Sequence, residues 1–442
     1  MRKIRFSRLV ALALSGTLVF ATTAPSKAVE TTTLTIWTFG NVIQPALVLE
    51  YKRLNPNINF SIKKSELDPL NGQALVTACA TAQSQNGPDI AAIEIAYSGY
   101  WRSYPQCFVN LKTMTSTTGN KTGNNIKKDY LSWRWANGVA YNGNVIGIPT
   151  DVGGLQVAYR TDLFKKAGLP TNRDAVSKLW GSWSSFIATG ERYMKSLSAK
   201  DKKDKVAFID SAGSIYSAML NQGTEKYYRN NNTADGVLVY STNPSVRNAF
   251  NTTVTAMQSG IDARTAQFSS DWNVGMTKGK FATILAPAWM LDYIKQQAPT
   301  TRGKWDVAAI PGGGGNQGGT QLSIPTSGKT ANRQAAWDFI SWYLAPEQQL
   351  KVFKTYGFFP STTELYTDKE LVNYKDPFFN NAPIGKIYST GVKKLKPIFE
   401  GKRQRAIDQA FGNALARVAA KKQTPAKAWA QALKDIKTAV GG

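Results

Sequence analysis

Read from the amino end, apolar positions alternate and cluster in short strand-length runs separated by helical patterns. Thr33–Thr38 is a β-branched, alternating run and predicts a strand, with Phe39-Gly40-Asn41 as its turn. Ile43–Leu54 repeats apolar residues at helical spacing and stops at Asn55-Pro56. Ile58–Ile62 predicts a second strand, Leu70–Ala82 a second helix, and Asp89–Ile95 a third strand apolar enough to be buried on both faces. Strand and helix alternate at βαβ spacing, which predicts a parallel sheet. After a polar stretch at Thr113–Asn125, Gly138–Ile148 reads as a hairpin turning at Asn142-Gly143. Leu155–Tyr159 is extended, and a short helix closes at Phe164–Gly168. Ser184–Leu197, Ser214–Leu220 and Val246–Met257 are helical patterns.

The most informative stretch is Asp271–Met290. Asp271 is placed to cap a helix that begins at Trp272. Phe281–Leu285 is a buried strand, and Pro287 opens the next helix, with Trp289 in its first turn. In α/β folds ligands sit beyond the carboxyl ends of strands, near helix starts. An indole there serves either the core or a sugar ring, whose apolar face it can cover. Downstream, Trp305–Ile310 and Thr320–Ile324 predict strands around a glycine-rich Pro311–Gly319, and Ala331–Leu344 predicts an aromatic-rich helix. Another helix starts at Pro346 and ends by Gly357. Two helices close the chain, the second capped at Thr424-Pro425.

Length then argues for two lobes: 442 residues exceed what one compact core holds. Arg2, Lys3, Arg5 and Arg8 followed by apolar Leu9–Ala21 predict a secretory leader of residues 1–28, cleaved after Ser26-Lys27-Ala28. Without its five basic residues the chain carries 49 basic against 29 acidic side chains, a net +20. The cations are scattered, the densest run being Lys393–Arg405. That fits a basic surface at an anionic envelope and speaks against nucleic acid as a partner. Cys79 and Cys107 are either two buried thiols or one disulfide; export favours the disulfide. The complete absence of histidine removes His-based catalysis, most metal sites and His proton shuttles. No phosphate-cradling motif is present, since Gly312–Gly315 lacks the Lys-Ser/Thr that would follow. No cofactor is implied.

The chain is similar to extracellular solute-binding proteins of ABC transporters, in the sugar-binding group that includes maltose-binding protein. The resemblance lies in LTIWTFG at Leu34–Gly40, GPDIAAIE at Gly87–Glu94, GIPTDVGGLQVAYRTDLFKKAGLP at Gly147–Pro170, and SDW with GKFATILAPAWM at Ser270–Met290. It continues through WDVAAIPGG at Trp305–Gly313, GGTQLSIPTSGK at Gly318–Lys329, AAWDFISWYLAPEQQ at Ala335–Gln349 and GFFPS at Gly357–Ser361. Two departures are the stretch after AGLP, which reaches Trp180 and Trp183 loosely, and the missing lipid-attachment cysteine.

The resemblance implies an α/β, two-lobed periplasmic-binding-protein fold with the ligand cleft between lobes. The first lobe would be residues 29–150 and 305–344; the second, residues 151–302 and 345–442. It implies a monomer in the periplasm or at the cell surface that hands a carbohydrate to a membrane permease by hinge closure. Implied ligand residues are Trp37, Phe39, Glu94, Tyr97, Asp151, Trp272, Trp289 and Gly319. Two other readings stay open. The same fold could hold a non-sugar solute, or the chain could be a secreted glycan-degrading enzyme using Glu94 and Asp151 as its carboxylate pair.

Overall fold

A computed structural model describes residues 31–441, except 66–67, 118–122, 124, 232–235 and 394. The leader expected at residues 1–28 lies outside the described residues, as does part of the polar stretch Thr113–Asn125. Eleven strands occur among the described residues: β1 (Thr32–Phe39), β2 (Ile58–Ser65), β3 (Ile90–Glu94), β4 (Ile148–Pro149), β5 (Leu155–Arg160), β6 (Ala207–Ile209), β7 (Tyr228–Arg229), β8 (Val237–Leu238), β9 (Phe281–Pro287), β10 (Trp305–Ala308) and β11 (Thr320–Ser323).

Two sheets of different order give the molecule two α/β lobes. The first runs β2-β1-β3-β11-β4 and the second β10-β5-β9-β6. β1 is parallel to β2 and β3, in register Ile36 to Ile90 and Trp37 to Ala91, as βαβ spacing requires. β11 is antiparallel to both β3 and β4, so the first sheet is mixed. The second sheet is mixed too: β5 is antiparallel to β9 and β10, and β6 is parallel to β9. Pairing of Trp305 with Arg160 puts β10 in the second sheet, which corrects the expected return to the first lobe at residue 305. The chain rejoins the first sheet only at Thr320.

Helices pack against both sheets, whose inner strands are buried, while the edge strand β2 stays largely exposed. Leu34, Ile36, Ile90, Ala92, Leu322 and Trp337 share the first lobe's main core. In β5, Leu155, Val157 and Tyr159 face one core cluster while Ala158 faces another, the period-two alternation of a strand between two helical layers. The expected hairpin at Gly138–Ile148 reduces to a single Val139–Val145 bridge, although its Asn142-Gly143 turn is present with Gly143 at φ +84°. A disulfide joins Cys79, on the helix Asp68–Ala80, to Cys107, with the two Cα atoms 5.2 Å apart.

Three segments cross between the lobes side by side. Gln317 N–H donates to the Gly153 carbonyl (2.7 Å), and Val152 N–H donates to the Phe359 carbonyl (2.9 Å). The approach is so close that a Cβ on Gly153 would fall 1.8 Å from the Gln317 oxygen, which explains glycine there. Asp151 bridges to Pro360, and the Ser361 hydroxyl donates to the Pro149 carbonyl (2.7 Å).

Candidate functional site

Two cavities lie beside this crossing, where the carboxyl ends of β3 and β9 point. One of about 580 Å³ is lined by Glu94, Trp133, Asn137, Tyr216, Gln317 and Glu400, among others. The other, of about 700 Å³, is lined by Phe39, Glu94, Phe268, Trp289, Tyr293 and Gly319, among others. Glu94 and Gly318 line both.

Of the residues expected from the sequence, Phe39, Glu94, Asp151, Trp289 and Gly319 come together around the second cavity. Trp289 is half-buried in the first turn of the helix Ala288–Gln297, and its indole N–H donates to the Gln317 carbonyl (3.1 Å). Pro287 ends β9 and stands at the N-cap of that helix rather than inside it. Glu94 ends β3, and its side chain accepts the Ala96 N–H (2.9 Å). Gly319 adopts φ +117°, and its carbonyl accepts the Ile95 N–H (2.9 Å), tying the crossing to the end of β3.

Asp151 reaches the cavity wall but is only 2% exposed. One carboxylate oxygen takes the Thr320 N–H (2.8 Å) and the Thr150 hydroxyl (2.6 Å). Its carbonyl accepts from the buried Arg134 guanidinium (3.0 Å), which also donates to the Thr320 carbonyl. Asp151 therefore braces the crossing from beneath. Burial pushes its carboxyl up despite Arg134 nearby, and burial pushes Arg134 down.

Three of the expected residues stand apart from both cavities. Trp37 is half-buried under the Lys63 ammonium, 4.8 Å from its ring, and lines neither cavity. Tyr97 lines neither cavity; its ring carries the Arg405 guanidinium at 4.0 Å. Trp272 is 0% exposed. Its helix is capped by Ser269, whose hydroxyl accepts the Trp272 N–H (3.3 Å), and Asp271 sits within the first turn. The Trp272 ring packs beneath Phe268 (5.4 Å) and Tyr293 (5.6 Å), so it supports two cavity-lining rings instead of facing the cavity.

The sequence reading missed those two rings. Tyr293 follows Trp289 by four residues on one helix, a spacing that places both on one face and was legible. Phe268 is 44% exposed, stacks 6.3 Å from Trp289, and has φ +68°; nothing local announces it. Trp133, Asn137 and Glu400 were missed as well, since each becomes a neighbour of the others only through the fold.

Beneath the site, Asp210 accepts the Trp272 indole N–H (2.8 Å) and the Gln267 amide (2.9 Å) on one oxygen. Burial raises its carboxyl to about 6, although both hydrogen bonds oppose the rise. Below pH 4 Asp210 is protonated in folded and unfolded chains alike and carries no penalty. As pH climbs from about 4 to 6 the unfolded carboxyl ionises first, so this group's contribution is lost progressively, up to about 3 kcal/mol. Asp210→Asn should flatten the pH 4–6 limb of the unfolding free energy by that amount. Chemical denaturation across pH checks it; an unchanged limb would show Asp210 ionised throughout.

No cluster of metal-binding side chains occurs among the described residues, and none of their helices is long and apolar enough to cross a membrane.

Comparison with known proteins accords with this architecture. A family profile of bacterial extracellular solute-binding proteins matches residues 62–380. A lactose-binding protein of Rhizobium radiobacter is 26% identical over 315 residues, 69% of this chain and 68% of that one. An arabinooligosaccharide-binding protein of Bacillus subtilis strain 168 is 22% identical over 395 residues, 83% of each chain. Among solved structures, an extracellular solute-binding protein of family 1 shares 34% identity with a TM-score of 0.78, covering 92% of this chain and 99% of that one. A binding protein of B. animalis subsp. lactis, in complex with β-1,6-galactobiose, shares the fold with a TM-score of 0.74 at 19% identity, over 92% of this chain and 97% of that one. With well over half of its length matched by one profile, the chain belongs to the bacterial extracellular solute-binding protein family.

Proposed function

We propose that the chain captures a neutral carbohydrate between its lobes and hands it to an ABC import permease, with no chemistry of its own. The observation that carries this reading is the pairing of aromatic faces with hydrogen-bonding groups around two cavities that meet at Glu94 and Gly318. A sugar ring offers an apolar face and a rim of hydroxyls. Burying it requires a flat apolar platform and a partner for nearly every hydroxyl. Trp289 serves as the platform of the second cavity, with Phe39, Glu94 and Gly319 opposite. Hinge closure about the three crossing segments would complete the site. Lactose and arabino-oligosaccharides, named for the two relatives, belong to this ligand class. A cleaved leader, a soluble monomer and a basic surface suited to an anionic envelope complete the reading; nucleic acid has no place in it. The hydrolase alternative loses support because the Asp151 carboxylate is occupied by Thr320 and Thr150.

A thermal-shift screen over neutral mono- to tetrasaccharides tests the reading. A ligand at 100 times its dissociation constant adds about 2.7 kcal/mol. At least one sugar should raise the melting temperature without release of reducing ends. Product formation, or a shift with polyamines and none with sugars, would overturn it.

Trp289→Ala should weaken sugar binding by about 1–3 kcal/mol, roughly 5- to 150-fold, while leaving most of the urea midpoint intact. A large fall in midpoint at unchanged affinity would make Trp289 a core residue.

A further inference from the structure

We propose that Glu400 couples ligand to closure: its side chain accepts a sugar hydroxyl while its main chain holds the opposite lobe. The proposal rests on the carbohydrate reading above and assigns to one residue the link between occupancy and lobe position.

The first observation is a set of unmet polar atoms. Trp133 and Asn137 from the first lobe, and Glu400 from the far side, line the same 580 Å³ cavity. Trp133 Nε1, Asn137 Oδ1 and Glu400 Oε2 are each buried without a hydrogen-bond partner among the described residues. Other lining groups are satisfied: Asp262, for example, accepts the Ala212 and Arg264 N–H groups. Unmet buried polar groups are expensive, so a ligand that meets them stabilises the arrangement that brings them together. One polyol with two donor hydroxyls and one acceptor oxygen satisfies all three atoms, and it reaches both lobes only when they are together.

The second observation is where Glu400 stands. Residues 395–403 join the helices Ile384–Val392 and Gln404–Ala419 as an irregular strap lying against the first lobe. The Tyr141 hydroxyl donates to the Glu400 carbonyl (3.3 Å). A Cβ on Gly99 would lie 2.5 Å from that same carbonyl oxygen, so the first lobe packs directly on it. Arg102 lies over both Tyr141 (4.4 Å) and Phe399 (5.9 Å), and the Lys402 ammonium lies over Tyr104 (4.9 Å). The Lys226 ammonium sits 3.6 Å from Glu400 Oε1, which holds the carboxylate at the cavity and away from bulk water.

Two variants test the coupling, by calorimetry and by ligand-induced compaction in small-angle scattering, using the same saccharide panel. E400Q leaves one oxygen for Lys226 and puts a donor NH2 where the free acceptor Oε2 stands. Tyr141→Phe removes only the hydroxyl on the strap carbonyl, and Tyr141 lines neither cavity. E400Q should bind at least tenfold more weakly and compact less. Tyr141→Phe should bind about three- to tenfold more weakly. If no sugar binds the wild-type chain, the carbohydrate reading falls and this proposal with it. If the wild type binds but E400Q and Tyr141→Phe both stay within threefold and compact normally, the coupling alone falls. Should E400Q not fold, Tyr141→Phe decides.

Discussion

Lys226→Met should lower the unfolding free energy by about 3–5 kcal/mol, the cost of removing one partner from a buried ionic cluster. Lys226 is 6% exposed, and its ammonium lies 3.6 Å from both Glu400 and Asp408. Burial pulls the ammonium down, but Asp408 and Glu400 together outweigh it, and Lys226 is held above the ordinary lysine range. Glu400 moves the other way: burial raises its carboxyl more than Lys226 lowers it. The two directions disagree about how well the cluster is compensated. Geometry decides in favour of partial compensation, because one ammonium is shared between two carboxylates at long range. Removing the lysine leaves the sparsely exposed Glu400 and the half-exposed Asp408 without their shared cation. Urea unfolding at neutral pH reads the effect. Adding E400Q and Asp408→Asn to Lys226→Met should restore most of the loss, since an all-neutral cluster needs no counter-charge. A loss below about 1 kcal/mol would mean that water reaches the carboxylates and screens them.

The disulfide should matter nearly as much. Cys79 and Cys107 are separated by 28 positions. Closing a loop of that size removes unfolded-state entropy worth about 3.5 kcal/mol at 25 °C in the chain-entropy model. The Cys79→Ser, Cys107→Ser double variant should lose about that much stability, read by urea midpoint. Sugar affinity should change little, since neither residue lines either of the two cavities described. Labelling the unreduced, unfolded wild type should find no free thiol; two labelled thiols would refute the bond.

Much of the framework was legible in the chain. Alternation in Thr33–Thr38 and the helical run ending at Asn55-Pro56 predict β1 and the helix Pro45–Leu54 within a few residues. Local signals were strong there because each element buries one face against its sequence neighbours. The order of β11 was not legible. A four-residue strand of buried positions carries no mark of which sheet, or which direction, will receive it. The same limit applied to the two tryptophans. Trp272 and Trp289 both stand near helix starts, yet Ser269 caps the first helix so that its indole turns inward to Asp210. The second meets the glycines of the crossing, where a Cβ on Gly318 would come within 3.1 Å of its ring nitrogen. Glu400 lay in the densest basic run and looked like part of a solvated face. Only the passage of residues 395–403 across the first lobe gives it a partner and a cavity.

The insertion of β11 between β3 and β4 also sets a schedule. Roughly 230 residues separate Glu94 from the strand that pairs with it. At about 5–20 residues per second, synthesis takes roughly 10–50 s to supply that strand. Throughout the interval Ile90, Ala91, Ala92 and Ile93 form an apolar strand with one open edge, the kind that recruits foreign chains. The first lobe thus cannot finish folding until β11 is available, and until then one edge of β3 stays open. Refolding from urea should show the same liability as a yield that falls with protein concentration.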